Sequence, residues 1–212
     1  MEPPQWLANC LENGASNRML YHMMVSDKKQ PKRCPWPGED PLMIAYHDME
    51  WGTPLHEDNL IFEFLLLEGM QAGLSWTTIL RKREDFRKAF KGFDPEVVSK
   101  FGPRDVERLL GDAGIIRNRL KIAAAITNAK AFLAVQKEFG TFDRYMWQFV
   151  GGKPIRHRCR TISEIPATSP ESDSFSKDLK QRGFKLVGST IIYAHMQATG
   201  MINDHLVTCF RY

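Results

Sequence analysis

Residues 106–117 read VERLLGDAGIIR, which is a helical segment, a tight turn around Gly111 and Gly114, and the start of a second helix. The first helix begins at Gly102-Pro103-Arg104-Asp105, because proline is favoured at the first helical position. The second continues through the alanine-rich residues 117–138 and stops at Gly140. This stretch predicts two successive helices joined by a glycine turn.

Similar start and stop signals recur on both sides of this stretch. They predict four more helices: one from Ser75 to about Phe90, one beginning at Asp94-Pro95-Glu96, one from Thr168-Ser169-Pro170-Glu171 to Gly183, and one from about Val187 to Gly200. Alternating strand patterns are nearly absent, and no internal repeat is present. The predicted fold class is therefore all-α, compact, with many short helices.

Length and composition are those of a globular protein. The chain has 212 residues, of which 43% are hydrophobic and 25% are charged. These values exclude a disordered or fibrous protein and allow one or two domains with a sizeable core. Residues 1–33 mix Pro, Asn, Ser and Met without periodicity, so they are predicted to be a flexible N-terminal extension. Residues 34–212 are predicted to form a single domain.

The cysteine content and the hydropathy bear on the cellular compartment. Four cysteines are too few and too scattered for the disulfide framework of a small secreted protein. No apolar run reaches membrane-spanning length, and the N-terminus lacks the apolar core of a signal peptide. We therefore expect a soluble protein of a reducing compartment, the cytoplasm, with no membrane partner.

Two cysteines and two histidines stand out by their positions. His205 and Cys209 are four residues apart, so on a helix they project from one face, and Cys34 and His47 lie near the start of the folded region. Together they form the Cys₂His₂ ligand set of a closed tetrahedral zinc site. Because four protein ligands leave no position for water, such a zinc ion would be structural and would clip the two ends of the domain together. The spacing alone leaves open that these are unrelated packed residues.

Positive charge is clustered, although the formal net charge is only +4. Residues 81–91 include six basic and two acidic residues, and residues 153–160 include four basic residues and no acid. A third cluster, at 117–121, opens a helix, where the dipole prefers anions and free backbone N–H groups favour phosphate. The clusters indicate a nucleic-acid partner, and a solvated charged face is the alternative for any one of them.

The turn that precedes this third cluster resembles a helix-hairpin-helix motif, in which backbone amides hold DNA phosphates without reading the base sequence. The usual hairpin has a second glycine two residues after the first, and Ile116 occupies that position here. Gly114 and Arg117 are the DNA contacts predicted for this turn.

Glu68 lies in a predominantly apolar stretch, because it follows three leucines and precedes Gly69 and Met70. Buried carboxyl groups are uncommon unless they are paired or used. Four aromatic residues stand near this stretch or the segments around it: Trp36, Tyr46, Trp51 and Trp76. A π-face beside a carboxylate suits a planar, cationic ligand. The alternative is a Glu at the polar edge of an amphipathic helix, with the rings in the core.

A set of short motifs extends over about residues 33–212. They are Cys34-Pro-Trp36, Ile44-Ala-Tyr46-His47-Asp48, Glu50-Trp51-Gly52, Leu67-Glu68-Gly69, Gln71-Ala-Gly73-Leu74-Ser75-Trp76, Asp112-Ala-Gly114-Ile115-Ile116-Arg117, Leu179-Lys180, Arg182-Gly183-Phe184-Lys185, and Asn203-Asp204-His205 with Cys209. In this combination they resemble the 3-methyladenine DNA glycosylase I family.

The resemblance implies a helix-hairpin-helix glycosylase fold with a structural zinc ion. Its implied site residues are Cys34, His47, His205 and Cys209 as zinc ligands, Glu68 as the base contact and candidate catalytic residue, Tyr46 and Trp76 as pocket walls, and Gly73 and Leu74 as a DNA-wedging turn. The chain departs from the family at Met43, where a tyrosine often stands, and in the extension 1–33.

The activity implied is hydrolysis of the N-glycosidic bond of N3-methyladenine in alkylated double-stranded DNA. The products would be free 3-methyladenine and an abasic site, and the enzyme is expected to be a monomer. N3-alkylation makes adenine a cation, so the base departs neutral and needs little acid catalysis.

The residues also leave two other functions open. A non-catalytic, zinc-clipped DNA-binding module that recognises damaged DNA would keep the basic clusters and the hairpin but would not need Glu68. A glycosylase with lyase activity would use a lysine amine through a Schiff base. In lyases that this hairpin resembles, that lysine stands where this chain has Asn118, which disfavours a lyase.

Overall fold

The computed structural model describes residues 31–212. Residues 1–30 of the predicted flexible N-terminal extension lie outside the described residues. The described residues form ten α-helices: α1 (Pro41–Met49), α2 (Asp58–Gln71), α3 (Trp76–Arg81), α4 (Arg83–Ala89), α5 (Pro95–Val98), α6 (Pro103–Gly111), α7 (Arg119–Phe139), α8 (Phe142–Met146), α9 (Pro170–Gln181) and α10 (Ser189–Ala198). Short 3₁₀ helices lie at Lys91–Phe93, Trp147–Val150 and Ile162–Glu164. The predicted all-α class is confirmed.

Side-chain caps explain where several helices begin. Asp94 and Ser169 accept hydrogen bonds from amides in the first turns of α5 and α9, as their sequence signals predict. The longest helix, α7, begins at Arg119 rather than at 117, because the Asn118 side chain accepts from the amides of the first turn. It ends at Gly140, which has a φ of 90°.

The helix predicted from Ser75 to about Phe90 is two helices, α3 and α4. Lys82 separates them with φ −100° and ψ 0°, and its N–H donates to the carbonyl of Ile79, three residues back. The sequence around Lys82 consists of good helix formers, so it gives no sign of this break. Helix propensity is only a weak guide where tertiary packing changes the direction of the chain.

Two short strands were missed by the prediction. β1 (Ile155–Arg156) pairs in parallel with β2 (Ile202–Asn203), and Ile155 lies opposite Ile202. Each strand has only two residues, so no alternation exists for a sequence pattern to reveal. The pairing holds the chain after β1 beside the C-terminal segment.

Helix α2 passes through the core. Its residues are buried continuously from Ile61 to Met70, and it packs against α7 and α10. A helix that is apolar on all sides belongs in an interior. Consequently Glu68, near the C-terminal end of α2, is carried into the core rather than to the surface.

The start of the described chain contacts its end. The N–H of Phe210 donates to the carbonyl of Lys32 at 2.9 Å. Arg33 forms an ion pair with Asp48 at 2.7 Å and lies over the ring of Phe210. Residues 32 and 33, predicted to belong to the extension, therefore make contacts with the folded chain.

None of the described helices combines the length and the apolar character that crossing a membrane requires.

Gly200, after α10, is required by a close backbone approach. Its φ is 69°, and a Cβ there would lie 2.2 Å from the carbonyl carbon of Thr53. Gly200→Ala should therefore strain the turn and displace residues 53 and 54. We expect a loss of unfolding free energy at least twice that of Gly140→Ala, which meets no atom within 4 Å and adds only left-handed strain of about 1–2 kcal/mol. Equal losses in urea unfolding would contradict this packing.

Candidate active site

A cavity of about 340 Å³ lies between α1, α2, α3 and α10. It is lined by Trp36, Met43, Tyr46, Trp51, Glu68, Gln71, Trp76, Ile162, Ile165, Ala194 and Gln197. Its volume falls within the range of small-molecule sites, and its wall is apolar and aromatic with few polar groups. The three predicted pocket residues, Tyr46, Glu68 and Trp76, are brought together here.

Glu68 is the sole carboxylate among the described residues that line this cavity. No described residue donates a hydrogen bond to its carboxyl group or forms an ion pair with it. Burial raises the pKa of this carboxyl to about 8. The group is therefore mostly protonated at neutral pH, and a cation or N–H donors in the cavity would favour its ionised form.

The aromatic walls stand around this carboxyl. The ring centroids of Tyr46 and Trp76 are 5.3 Å apart, and that of Trp36 is 6.3 Å from Tyr46 in an edge-on arrangement. Burial, and then the charge of Glu68, raise the pKa of the Tyr46 hydroxyl well above its usual range. The Nε1 atoms of Trp36 and Trp76 are buried without a hydrogen-bond partner among the described residues. The cavity is thus walled by aromatic residues and holds one unpaired acid, and two indole N–H groups buried within its walls have no acceptor among the described residues.

Several lining residues were not predicted as site residues. Trp36 had a signal, since it stands two residues after Cys34. Gln197 and Ile165 had none, because they come from distant parts of the chain that only the tertiary fold brings to the cavity. Met43, the predicted departure from the family, lines the wall and is buried.

The turn after α2 borders the cavity. Gly73 has a φ of 80°, and the N–H of Leu74 donates to the carbonyl of Gln71 at 2.6 Å. A second cavity of about 260 Å³ lies against this turn and shares Glu68 and Gln71 with the first. The Leu74 side chain is 41% exposed, so an apolar group projects toward solvent beside this second cavity.

Residues 112–118 join α6 to α7 and form the predicted hairpin turn. The N–H of Gly114 donates to the Asp112 carboxylate at 2.8 Å, so this amide has an internal acceptor. The N–H groups of Ile116 and Arg117 have no acceptor among the described residues. Among the described residues, the free N–H donors of the turn are therefore at 113, 116 and 117, and Gly114 is not one of them.

Two lysines tie this turn to the cavity. Lys82 Nζ donates to the carbonyls at 113–114, at 2.9 and 3.2 Å. In the opposite direction, Lys121 Nζ donates to the carbonyls of Met70 and Ala72 at 2.8 and 2.7 Å. Lys82 therefore holds the junction of α3 and α4 against residues 113–114, and Lys121 holds the end of α2 against the start of α7.

Two of the basic residues at 117–121 therefore make contacts within the protein, which the sequence alone did not reveal. Lys121 caps the end of α2, and Arg119 pairs with Glu107 at 2.8 Å. Arg117 is exposed and has no ion-pair partner among the described residues.

The four predicted metal ligands, Cys34, His47, His205 and Cys209, are buried with their ligand atoms all within 4.8 Å of one another. Cys209 Sγ is 3.5 Å from His47 Nε2 and 3.5 Å from His205 Nδ1, and Cys34 Sγ is 3.7 Å from the latter. With metal–sulfur and metal–nitrogen bonds of about 2.3 and 2.0–2.1 Å, tetrahedral geometry separates sulfur from nitrogen by about 3.5 Å. The cluster thus fits a four-coordinate metal ion.

Both imidazoles are oriented for coordination. His47 Nδ1 donates to Asp48 at 2.7 Å, and His205 Nε2 donates to the carbonyl of Trp51 at 2.9 Å. Each ring therefore turns its unprotonated nitrogen toward the sulfur atoms, as ligating histidines do. Burial lowers both pKa values, that of His205 to about 4, which keeps the rings neutral.

One expectation about this region was wrong. His205 and Cys209 do not lie on a helix, because after β2 the chain is extended and then turns, with the N–H of Cys209 bonded to the carbonyl of Leu206. Asp204 directly precedes His205 in this segment. It is fully buried, and it accepts hydrogen bonds from Tyr193 at 2.6 Å and Gln197 at 2.7 Å.

Similarity to known proteins agrees with this geometry. Residues 36–212 match the methyladenine glycosylase family. The chain is 51% identical over 181 residues to the DNA-3-methyladenine glycosylase 1 of Escherichia coli strain K12, covering 85% of this chain and 97% of that protein. It is 44% identical over 177 residues to the DNA-3-methyladenine glycosylase of Haemophilus influenzae, covering 84% and 96%.

The fold is similar to that of a solved relative with a ligand. A Tyr-to-Phe variant of a 3-methyladenine DNA glycosylase I, in complex with 3-methyladenine, aligns with a TM-score of 0.82 and 34% identity, covering 84% of this chain and 96% of that one. From its sequence, its fold and the aromatic cavity around Glu68, this chain belongs to the methyladenine glycosylase family.

Proposed function

We propose that this protein hydrolyses the N-glycosidic bond of N3-methyladenine in alkylated DNA, releasing the free base and leaving an abasic site. The observation that carries the proposal is the unpaired Glu68 carboxyl inside an aromatic cavity. A buried acid without a partner lowers the stability of the fold, so it indicates a ligand that supplies donors and positive charge.

The reaction needs few catalytic groups, which agrees with a cavity in which the described residues supply only one carboxyl group. The alkylated base is a cation while it is attached and departs as a neutral molecule, so the bond is already weakened. Flipping the base out of the duplex costs a few kcal/mol. Stacking on Tyr46 and Trp76 offsets this by about 1–3 kcal/mol per ring contact. The protein therefore mainly extracts the base and holds it in a dry site.

Glu68 would select adenine. Its carboxylate accepts from the exocyclic amino group of adenine and is favoured by the positive charge of the alkylated ring. Guanine presents an oxygen acceptor at the corresponding position, so lone pairs would oppose each other. An unsatisfied buried acceptor costs about 1–3 kcal/mol, which sets the scale of discrimination.

The hairpin and the wedge turn would hold duplex DNA. The free N–H groups at 116 and 117, together with the Arg117 side chain, suit backbone phosphates. Gly114 lets the chain pass Asp85, since a Cβ there would lie 2.9 Å from the Asp85 Cβ. Gly73 and Leu74 would fill the space left by the extracted base. We expect a monomer that acts where the DNA is, which is the cytoplasm in a bacterium.

The metal at the four-residue cluster would be zinc, bound by Cys34, His47, His205 and Cys209. Two sulfur and two nitrogen donors with no oxygen ligand suit zinc. Burial raises the pKa of the Cys34 thiol to about 12, so a cation is needed to hold it as thiolate. With four protein ligands the ion would serve the fold and leave the reaction to the cavity.

Glu68→Gln should lower release of 3-methyladenine from methylated duplex DNA, because it keeps the shape of the cavity and removes the charge. The kcat/KM of the wild type should rise up to about tenfold per pH unit below pH 8 and then level, because this ratio follows ionisation of the free enzyme. The Gln variant should lack this rise. Chromatography of the released base across this pH range measures both.

Stability measurements supply the control. Between the unperturbed pKa of 4.5 and about 8, the folded chain holds a proton on Glu68 that the unfolded chain releases. The contribution of this group to the unfolding free energy therefore falls as pH rises through that window. Glu68→Gln removes this loss, so the variant should be at least as stable as the wild type at pH 8. Unchanged base release and selectivity in a folded variant would contradict the assignment.

The zinc assignment predicts one tightly held metal ion per chain. Cys209→Ser should lower metal content in elemental analysis and lower the unfolding free energy more than it lowers base release by the protein that stays folded. Cys159→Ser is the matched control, since Cys159 is also buried but lies outside the cluster. A well-folded wild-type chain without metal would disprove the assignment.

A further inference from the structure

The segment after β1 is held straight by backbone pairing. Alternate residues are bonded to residues 201–207: the N–H of Ile155 donates to Met201 at 2.9 Å, that of His157 donates to Asn203 at 3.2 Å, and the carbonyl of Cys159 accepts from Val207 at 2.9 Å. Cys159 is buried, and the His157 ring is anchored on the buried Asp204 carboxylate at 2.7 Å. The odd-numbered positions thus face the protein.

The even-numbered positions carry three arginines. Arg156, Arg158 and Arg160 are exposed, and in an extended chain their Cα atoms lie about 6.6 Å apart in succession. We name this set the arginine row. Such a spacing is close to that of neighbouring phosphates along a nucleic-acid strand.

The arginine row has little internal neutralisation. Among the described residues, none of its side chains forms an ion pair with a carboxylate, and Arg156 only lies over the ring of Tyr212. The Glu164 carboxylate accepts from the backbone N–H of Arg160 at 2.7 Å. The row therefore has no internal salt bridge among the described residues. Arg156 packs on the Tyr212 ring, and the Glu164 pKa is lowered by the Arg160 backbone hydrogen bond and also by the Arg160 charge.

The row leads directly to the cavity. The next residues form the 3₁₀ helix Ile162–Glu164, and Ile162 and Ile165 line the cavity wall. Ile162 is 40% exposed, which places an apolar side chain at the edge between the row and the cavity. A strand whose nucleotide is turned into the cavity must leave its neighbouring phosphates near this edge.

We propose that the arginine row binds consecutive phosphates of the damaged DNA strand next to the flipped nucleotide, as a second DNA-binding surface besides the hairpin. This inference rests on the proposed function. Regular spacing and continuity with the base cavity favour a nucleic-acid strand over an acidic peptide or an anionic membrane. Guanidinium groups bind phosphate bidentately, so the row suits this backbone better than a diffuse positive patch would.

The test is binding of the full chain to a duplex with a stable tetrahydrofuran abasic analogue, measured by fluorescence anisotropy across salt concentrations. Arg158→Ala with Arg160→Ala should weaken binding about tenfold or more at low salt and lower the salt slope by about 2, since each lost phosphate contact removes about 1. Lys130→Ala with Lys137→Ala changes the net charge equally on the exposed side of α7 and should have a much smaller effect.

Neutral methylphosphonate linkages, which replace charged phosphates in the DNA, show which phosphates the arginine row contacts. Placed beside the abasic analogue, they should weaken binding of the wild type and of the lysine control but have little further effect on the arginine double variant. Affinity for free 3-methyladenine should stay unchanged in both variants, which shows an intact cavity.

The outcomes separate the two proposals. If the arginine variant binds DNA like the lysine control, or loses affinity for anionic vesicles or acidic peptides rather than for DNA, the row proposal is overturned while base release by the wild type still supports the function. If the wild type releases no 3-methyladenine from methylated DNA, the proposed function fails, and the methylphosphonate result still decides whether the row contacts DNA.

Discussion

Burying one carboxyl group without a partner is the constraint on which the rest of this structure depends. Glu68 lies on a helix that is buried on all sides, and water has little access to it. Such a group opposes folding whenever it ionises, and its pKa near 8 expresses that opposition. The free protein tolerates it because the carboxyl stays protonated below that pKa. In the proposed function, a flat ligand with N–H donors and positive charge would satisfy the ionised acid, so the cost in stability and the selectivity for substrate would have one physical origin.

The aromatic walls need support from outside the cavity, and two devices provide it. The cluster of Cys34, His47, His205 and Cys209, which could hold a metal ion, lies next to three wall residues. Tyr46 precedes His47, Trp36 follows Cys34 by two positions, and the Trp51 carbonyl accepts a hydrogen bond from His205. On the other side, Lys82 and Lys121 connect the hairpin to the end of the Glu68 helix. The cluster helps to position the aromatic rings. Lys82 and Lys121 link the turn that is expected to bind DNA to the helix that carries Glu68.

Sequence reasoning located the residues whose chemistry is local and failed where the answer depends on packing. Caps such as Asp94 and Ser169 predicted helix starts correctly, because the capping bond lies within one turn of the chain. The break at Lys82 and the two-residue strands left no local pattern. The cations after the hairpin looked free for DNA, yet Lys121 binds carbonyls fifty residues away in sequence, and only the fold shows this.

The most direct test of this account is the pKa of the Glu68 carboxyl, measured by ¹³C NMR on protein labelled at glutamate and assigned with the Glu68→Gln spectrum. In the free protein the resonance should titrate near pH 8, and adding 3-methyladenine should shift its titration to lower pH, because the ligand donates hydrogen bonds to the ionised form. A titration near 4.5 in the free protein, or one that 3-methyladenine leaves unchanged, would contradict the claim that a dry, unpaired acid recognises the base.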